Sequence, residues 1–344
     1  MHGNIFAMQK QVFRIIMRRL SIFAILHIVV LFLLLCNFAN AWVAPTYFSK
    51  LNLLSLGFPY LMGIHLIFTT IWVLKKRKTA ALFFLSTIIF INPIRRWVNF
   101  SNTEENLSKS KTDIKVLTYN VKYGSAGWDN VKKYIREQNA DVILVQEKDN
   151  NTALRKDLIK YPSVILKTKH PIIRQQDLID DKYNGNSFFA DININGKIVR
   201  VVNVYLEPFR LNKNMLGMDD NQNNYEQPNK LKSLFSKLFP TFKTHEDQVK
   251  KIRKVVDNSP YPVILAGDFN SVPNSWEYYN LGKNLDDAFV KAGNGSSTSF
   301  HDYKFPLRID YIFTSRSITP KSYKVDYSVK LSDHYPVIAE FLLN

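Results

Sequence analysis

The sequence predicts a chain in two parts: a membrane region of about three transmembrane helices over residues 1–100, then, after a linker at 101–111, an α/β sandwich over 112–344. Three observations lead there: a one-sided charge distribution, long acid-free apolar spans, and strands alternating with helices in the second part. Residues 1–100 hold eleven Lys and Arg and no Asp or Glu. The remainder holds 35 basic residues against all 29 acidic ones. The pI near 9.6 thus stems from the first hundred residues, and charge alone does not nominate a nucleic acid as partner. The single cysteine, Cys36, excludes an internal disulfide and a cysteine-built metal centre.

The first apolar span runs from about Leu20 to Val43, the second from Leu53 to Leu74, and the third from Thr79 to Val98 with Pro93 inside it. Roughly 20 apolar residues cross a bilayer as a helix. Buried helices of a soluble domain are the alternative, disfavoured by the length of these acid-free stretches. Lys10, Arg14, Arg18 and Arg19 precede the first span, and "KKRK" at 75–78 separates the second from the third. Basic flanks stay in the cytoplasm, so three crossings place residues after 100 on the extracytoplasmic side. Arg95 and Arg96 run against that rule. A cleaved signal peptide ending at "ANA", 39–41, competes for the first span, although its apolar core is long for one. Two later spans would still return the chain to the far side.

Beyond the polar linker, "IKVLTYNV" reads as a strand, Trp128, Val131 and Ile135 carry helical spacing, and "DVILVQE" is a second strand. "SFFADININGKIVRVVNVYL" is a hairpin turning at Asn195-Gly196. Val249, Ile252, Val255 and Val256 mark a helix, and "PVILAGDFN", "IDYIFTS" and "VIAEFLL" are further strands. The segment 211–244 reads as a surface excursion whose Leu231, Leu234, Phe235 and Leu238 dock on the domain or, alternatively, touch the bilayer surface.

Polar residues stand where the strands end: Asn120, Glu147, Tyr205, Glu207, Asp268 and Asn270, with Asp310 opening one strand and Asp333 and His334 preceding the last. Each alone is an ordinary turn or surface residue, as Glu207 and Lys122 are read here. Collected at one sheet edge they form a chemical set. Carboxylates without cysteine suit a hard cation, Mg²⁺ or Mn²⁺. A histidine with an aspartate to orient it suits proton transfer or charge stabilisation, and amides hold water or anionic oxygen. These are the parts of metal-assisted attack of water on phosphorus. The chain has no G-x-x-x-x-G-K-[ST] loop, no G-x-S-x-G elbow and no zincin spacing.

"TYNV", "VQE", "AGDFNSVP", "RIDYIF" and "SDHYPV" occur in the order seen in the endonuclease/exonuclease/phosphatase superfamily, which 112–344 resembles. The membrane-anchored N-terminus is similar to a bacterial branch of it. The resemblance implies a four-layered, DNase I-like α/β sandwich and hydrolysis of a phosphodiester in a nucleic acid, nucleotide or phospholipid head group. It implies Glu147 as principal metal ligand, with Asn120 and Asp333. It also implies Asp268 and Asn270 positioning water and phosphate, and His334, oriented by Asp310, stabilising charge. Tyr205 stands where many members have His; as in the abasic-site endonucleases, a phenol there can donate to phosphate. Arg308 and Tyr311 read as structural, and Lys122 replaces a carboxylate found in some nucleases. A phosphomonoester substrate such as an inositol phosphate, and a binding module without turnover, are the alternatives. The expected partners are a phosphate-ester substrate and the lipid bilayer, with no protein partner.

Overall fold

The computed structural model describes residues 22–75, 79–100, 114–148, 158–160, 163–179, 183–211, 230–303 and 306–344. The linker, the basic residues at 10–19 and Leu231 as a side chain lie outside the described residues. The N-terminal part comprises α1 (Ile22–Cys36), α2 (Pro45–Phe48), α3 (Leu51–Leu74), α4 (Thr79–Ile89) and α5 (Ile91–Arg95), then a short strand β1 (Val98–Asn99). Two stretches among the described residues are long and apolar enough to cross a membrane: Ile22–Ala41, where a 3₁₀ turn extends α1, and Leu51–Leu74. The third expected span differs. Pro93 has no N–H to offer the Ile89 carbonyl four residues back, and its ring would clash there, so α4 stops at Ile89. With 11 residues, α4 rises about 16 Å.

Polar side chains tie the three helices together. Trp72 Nε1 donates to His27 Nδ1 at 3.2 Å, His27 Nε2 meets His65 Nδ1 at 2.9 Å, and His65 Nε2 meets Thr87 Oγ1 at 3.1 Å. Because the indole can only donate, the chain runs one way. His27 and His65 each carry their proton on Nε2, and Thr87 passes its own to the Phe83 carbonyl.

The second part continues through β2 (Ile114–Asn120), α6 (Trp128–Glu137), β3 (Val142–Gln146), β4 (Leu158–Lys160), β5 (Val164–Thr168), β6 (Ile172–Asp177), β7 (Asn186–Ile194) and β8 (Lys197–Tyr205). It then runs through α7 (Lys230–Asp257), β9 (Val263–Asp268), α8 (Trp276–Leu281), β10 (Asp286–Asp287), α9 (Ala288–Ala292) and β11 (Gly295–Ser296). The chain ends in β12 (Asp310–Thr314), β13 (Ile318–Val325) and β14 (Val337–Leu343). Two six-stranded sheets form, in the orders β13-β14-β2-β3-β5-β4 and β10-β12-β9-β8-β7-β6. β2 pairs with β3, and β8 with β9, in parallel.

Side chains such as Val116, Leu144, Val201, Ile264 and Ala339 fill the space between the sheets. Helices α7 and α8 cover the outer face of one sheet through Val249, Ile252, Trp276 and Leu281. Helix α6 covers the other through Val131 and Tyr134. This is the four-layered α/β sandwich expected from the sequence. One boundary moves: the segment from Lys230 to Phe242 is no separate excursion but the first half of α7, which accommodates Pro240. Leu238 and Phe242 on it are buried.

The two parts interlock. Asn52, at the start of α3, donates to Glu277 Oε2 at 2.8 Å and accepts the Trp276 N–H at 2.9 Å, satisfying a free amide at the start of α8. Glu277 also meets His245 Nδ1 at 2.9 Å, and His245 Nε2 meets the Glu207 carbonyl at 2.7 Å. β1 pairs with β11, and the Asn99 amide donates to the carbonyls of Phe289, Val290 and Gly293 at the end of α9. Thr46 donates through its amide and its hydroxyl to Glu246. Arg95 and Arg96, anomalous by the charge rule, are engaged here. Arg95 donates to Asn99 and to the Val290 carbonyl. Arg96 donates to Asn274 at 2.7 Å and lies over the rings of Tyr278 and Tyr279.

Candidate active site

The strand ends deliver the polar residues to one place. Tyr205 and Asp268 are register partners at the ends of parallel β8 and β9, and Asp310 faces Asp268 across β12. Asn120 and Gln146 are partners at the ends of parallel β2 and β3, so Glu147 emerges beside Asn120. Gly267 permits the approach: a Cβ there would lie 1.9 Å from the Val204 carbonyl oxygen, and its φ is 140°. Glu147 and Asn270 are non-glycine residues with φ of 53° and 46°. Such backbone is costly and concentrates at functional sites.

Asp268 is buried and held by amides. Its Oδ1 accepts the Asn270 N–H at 2.7 Å, and its Oδ2 accepts from Asn120 Nδ2 at 3.0 Å and Asn270 Nδ2 at 3.3 Å. The buried His334 has Nδ1 2.8 Å from Asp310 Oδ2 and Nε2 3.9 Å from Asp268 Oδ2. Burial pulls His334 down, but the Asp310 carboxylate and then Asp268 outweigh it and push the imidazole up to about 10. Burial, and then the charge of Asp310, push the Asp268 carboxyl up to about 8, with His334 pulling the other way. The three groups therefore behave as one coupled unit. Its edge is closed by the ring of Phe300, edge-on to His334 at 5.0 Å.

Three other expected residues flank this unit. Tyr205 spends its hydroxyl on Glu147 Oε1 at 2.9 Å. Burial and then the charge of Glu147 push the phenol far up, so it stays a donor. In this structure it orients Glu147 rather than an incoming phosphate. Asp333 pairs with Lys122 Nζ at 2.7 Å. His334 and Lys122 hold the Asp333 carboxyl below its ordinary range despite burial. Among the described residues, the acidic and histidine groups with ligand atoms within 4.8 Å of one another are Asp268, Asp310 and His334; Glu147 and Asp333 stand outside that group. With His334 bonded through Nδ1 to Asp310 and charged by it, the trio is internally compensated and suits proton transfer better than cation binding. Glu147 and Asn120, oxygen donors at adjacent strand ends, suit a hard cation.

Lys122 is more than a surface residue: its ammonium lies among the site carboxylates, 2.7 Å from Asp333 and 3.8 Å from Asp302. Its place two residues after Asn120 was the available signal. Glu207 is not a plain surface carboxylate: it accepts the amides of Asn184 and Gly185 and fixes their turn. Arg308 and Tyr311 are structural as expected. Arg308 is buried in a two-bond pair with Asp287 and donates to the Arg96 carbonyl, while Tyr311 Oη donates to the Ser271 carbonyl.

A family model described as the endonuclease/exonuclease/phosphatase family matches residues 117–334. The chain belongs to that family. The candidate site residues from Asn120 to His334 all lie within the matched region. A second model, a domain of unknown function, matches residues 20–97. No curated protein matches the chain. Among solved structures, a family member from Bacteroides thetaiotaomicron is similar at 16% identity and a TM-score of 0.49, covering 67% of this chain and 98% of its own. The mannosyl-6-phosphatase of the same species is similar at 18% identity and 0.48, with 67% and 99% covered. A 3′ phosphatase from Neisseria bound to a product DNA hairpin is similar at 19% identity and 0.48, with 66% and 99% covered.

Proposed function

We propose that this protein is a divalent-metal-dependent phosphoesterase, cleaving a phosphodiester by in-line attack of water, anchored in a membrane with its catalytic domain on the extracytoplasmic side. The observation that carries the reading is the alignment of Asp310, His334 and Asp268, with Asn120 and Asn270 clamped on Asp268. Asp268, a buried carboxyl raised toward neutrality, takes the proton of the attacking water. Asn270 and Asn120 fix that carboxylate by neutral donors, so no added negative charge repels the phosphate. His334, kept protonated and unable to turn by Asp310, presents Nε2 to the charge that develops on the phosphoryl oxygens.

Glu147 and Asn120 would hold Mg²⁺ or Mn²⁺; Asp333, the third ligand expected, would have to leave its pair with Lys122 to join them. When bound, the cation supplies Lewis-acid polarisation of the phosphate. Tyr205, by fixing one oxygen of Glu147, sets the direction of the other. Lys122 supplies a further positive charge next to Asp333.

Anchoring rests on the two long apolar stretches and on their charge placement. Lys75 ends α3 about 36 Å from its start, by 24 residues of helix, and that start docks on the sandwich through Asn52. The basic end is therefore the end remote from the catalytic domain, which the positive-inside rule assigns to the cytoplasm.

The test uses the full chain in detergent with bis(4-nitrophenyl) phosphate and Mg²⁺ or Mn²⁺. Turnover that a chelator abolishes, and that Asp268→Asn or His334→Ala lowers about a hundredfold or more, is expected. Undiminished turnover in either variant overturns the assignment.

A further inference from the structure

The catalytic residues open into a cavity of about 410 Å³, within the range of small-molecule sites. At its polar end stand Glu147, Asn270, Asp333 and His334, with Lys122 and Arg210 as the cations. Apolar side chains make up most of the rest: Leu53 and Leu56 from the first turns of α3, Phe209 after β8, Leu238 and Phe242 from α7, and Leu307, interspersed with Asn52, Ser55 and Ser275. Two features set this cavity apart from a groove for a nucleic acid. Its long wall offers hydrocarbon where phosphate tracking demands a run of Lys and Arg. Part of that wall also belongs to a helix long and apolar enough to cross a membrane, and the helix continues from Leu56 to Leu74 through Ile64, Leu66 and Ile67, all exposed.

We infer that the substrate is a lipid bearing its phosphate ester at the bilayer surface, whose hydrocarbon part lies along Leu53, Leu56, Phe209, Leu238 and Phe242 while the ester reaches His334 and Glu147. This deepens the phosphoesterase reading and rests on it. Asn52 holds the start of α3 against Glu277 and Trp276, which fixes Leu53 and Leu56 at the mouth of the site. The apolar wall contributes in proportion to the hydrocarbon it removes from water, so binding tightens as the chain lengthens. A head group alone meets only the polar end.

The experiment uses the full chain reconstituted in phosphatidylcholine vesicles and two 4-nitrophenyl phosphodiesters that differ only in the second ester, methyl or hexadecyl. Partition into the vesicle favours the hexadecyl compound for any variant, so the readout is the hexadecyl-to-methyl ratio of kcat/KM relative to wild type. Leu53→Asn, which makes the wall polar, and Leu56→Trp, which fills it, are each expected to lower that ratio at least tenfold. A ratio unchanged in both folded variants overturns the lipid inference while leaving the phosphoesterase reading standing. The same holds if wild type hydrolyses a single-stranded DNA oligonucleotide faster than the hexadecyl ester. Absence of turnover of both esters with Mg²⁺ or Mn²⁺ overturns the phosphoesterase reading itself, and the lipid inference with it.

Discussion

Asp310 accepts from His334 at 2.8 Å with both side chains buried, so the imidazole cannot rotate and its second nitrogen is committed to the cavity. The carboxylate acts through the ring: it sets both the direction and the charge of His334. Asp310→Asn keeps the size of the side chain and removes the charge. Turnover of the chromogenic diester is expected to fall about a hundredfold to ten-thousandfold, with KM little changed. A kcat equal to wild type would show that the pair has no part in the reaction.

The same pair makes stability depend on pH. An imidazole ordinarily titrates near 6.5, and in the folded chain Asp310 and Asp268 push His334 up to about 10. A raised folded value stabilises fully below the unfolded value and is lost as pH rises through the folded one. Asp268, raised to about 8, changes in the same sense but over a lower range. In chelator, the unfolding free energy of wild type minus that of His334→Asn should therefore shrink as pH rises. Denaturant titrations from pH 6 to 10 check this, and a difference that grows with pH refutes it.

Tyr205 touches Glu147 and not the reacting centre. Tyr205→Phe is expected to weaken Mn²⁺ binding about ten- to a hundredfold, as removal of a partner of a metal ligand does. Calorimetry on the metal-free chain reads this directly, and Glu147→Gln should lose more. Equal affinity in wild type and Tyr205→Phe would place the cation elsewhere.

Asn52 replaced by Leu strands the Trp276 amide and one oxygen of Glu277, both buried. A buried polar group without a partner costs about 1–3 kcal/mol, more when charged. The expected result is a lower Tm for the sandwich although residue 52 lies outside it in sequence. The double variant Asn52→Leu with Glu277→Leu should recover part of the loss, whereas additivity would show that the two do not interact.

A reporter fused after residue 344 tests the orientation. An enzyme active only outside the cytoplasm should give signal there, and a cytoplasmic signal would reverse the topology.

The site was legible where the chemistry is concentrated at strand ends. Asn120, Glu147, Asp268, Asn270, Asp310 and His334 interrupt apolar runs, and β pairing had to bring them to a common edge. Their division of labour was less legible, since the bond from Tyr205 to Glu147 depends on the left-handed backbone of Glu147, which no local pattern announces. The interface between the parts was not legible at all. Asn52, Asn99 and Arg96 stand in or beside apolar spans, and their partners lie more than 170 residues away. Pro240 lies inside α7, and buried Leu238 before it and Phe242, Val249 and Ile252 after it hold the helix together.

The mutual satisfaction of Asn52 with Glu277, and of Asn99 with the end of α9, has an evolutionary corollary. Exchanging the N-terminal helices for those of another chain would leave these acceptors and donors stranded, so a viable hybrid must import both sides of each contact. The N-terminal helices and the sandwich are thereby constrained to change together at Asn52, Glu277 and Asn99.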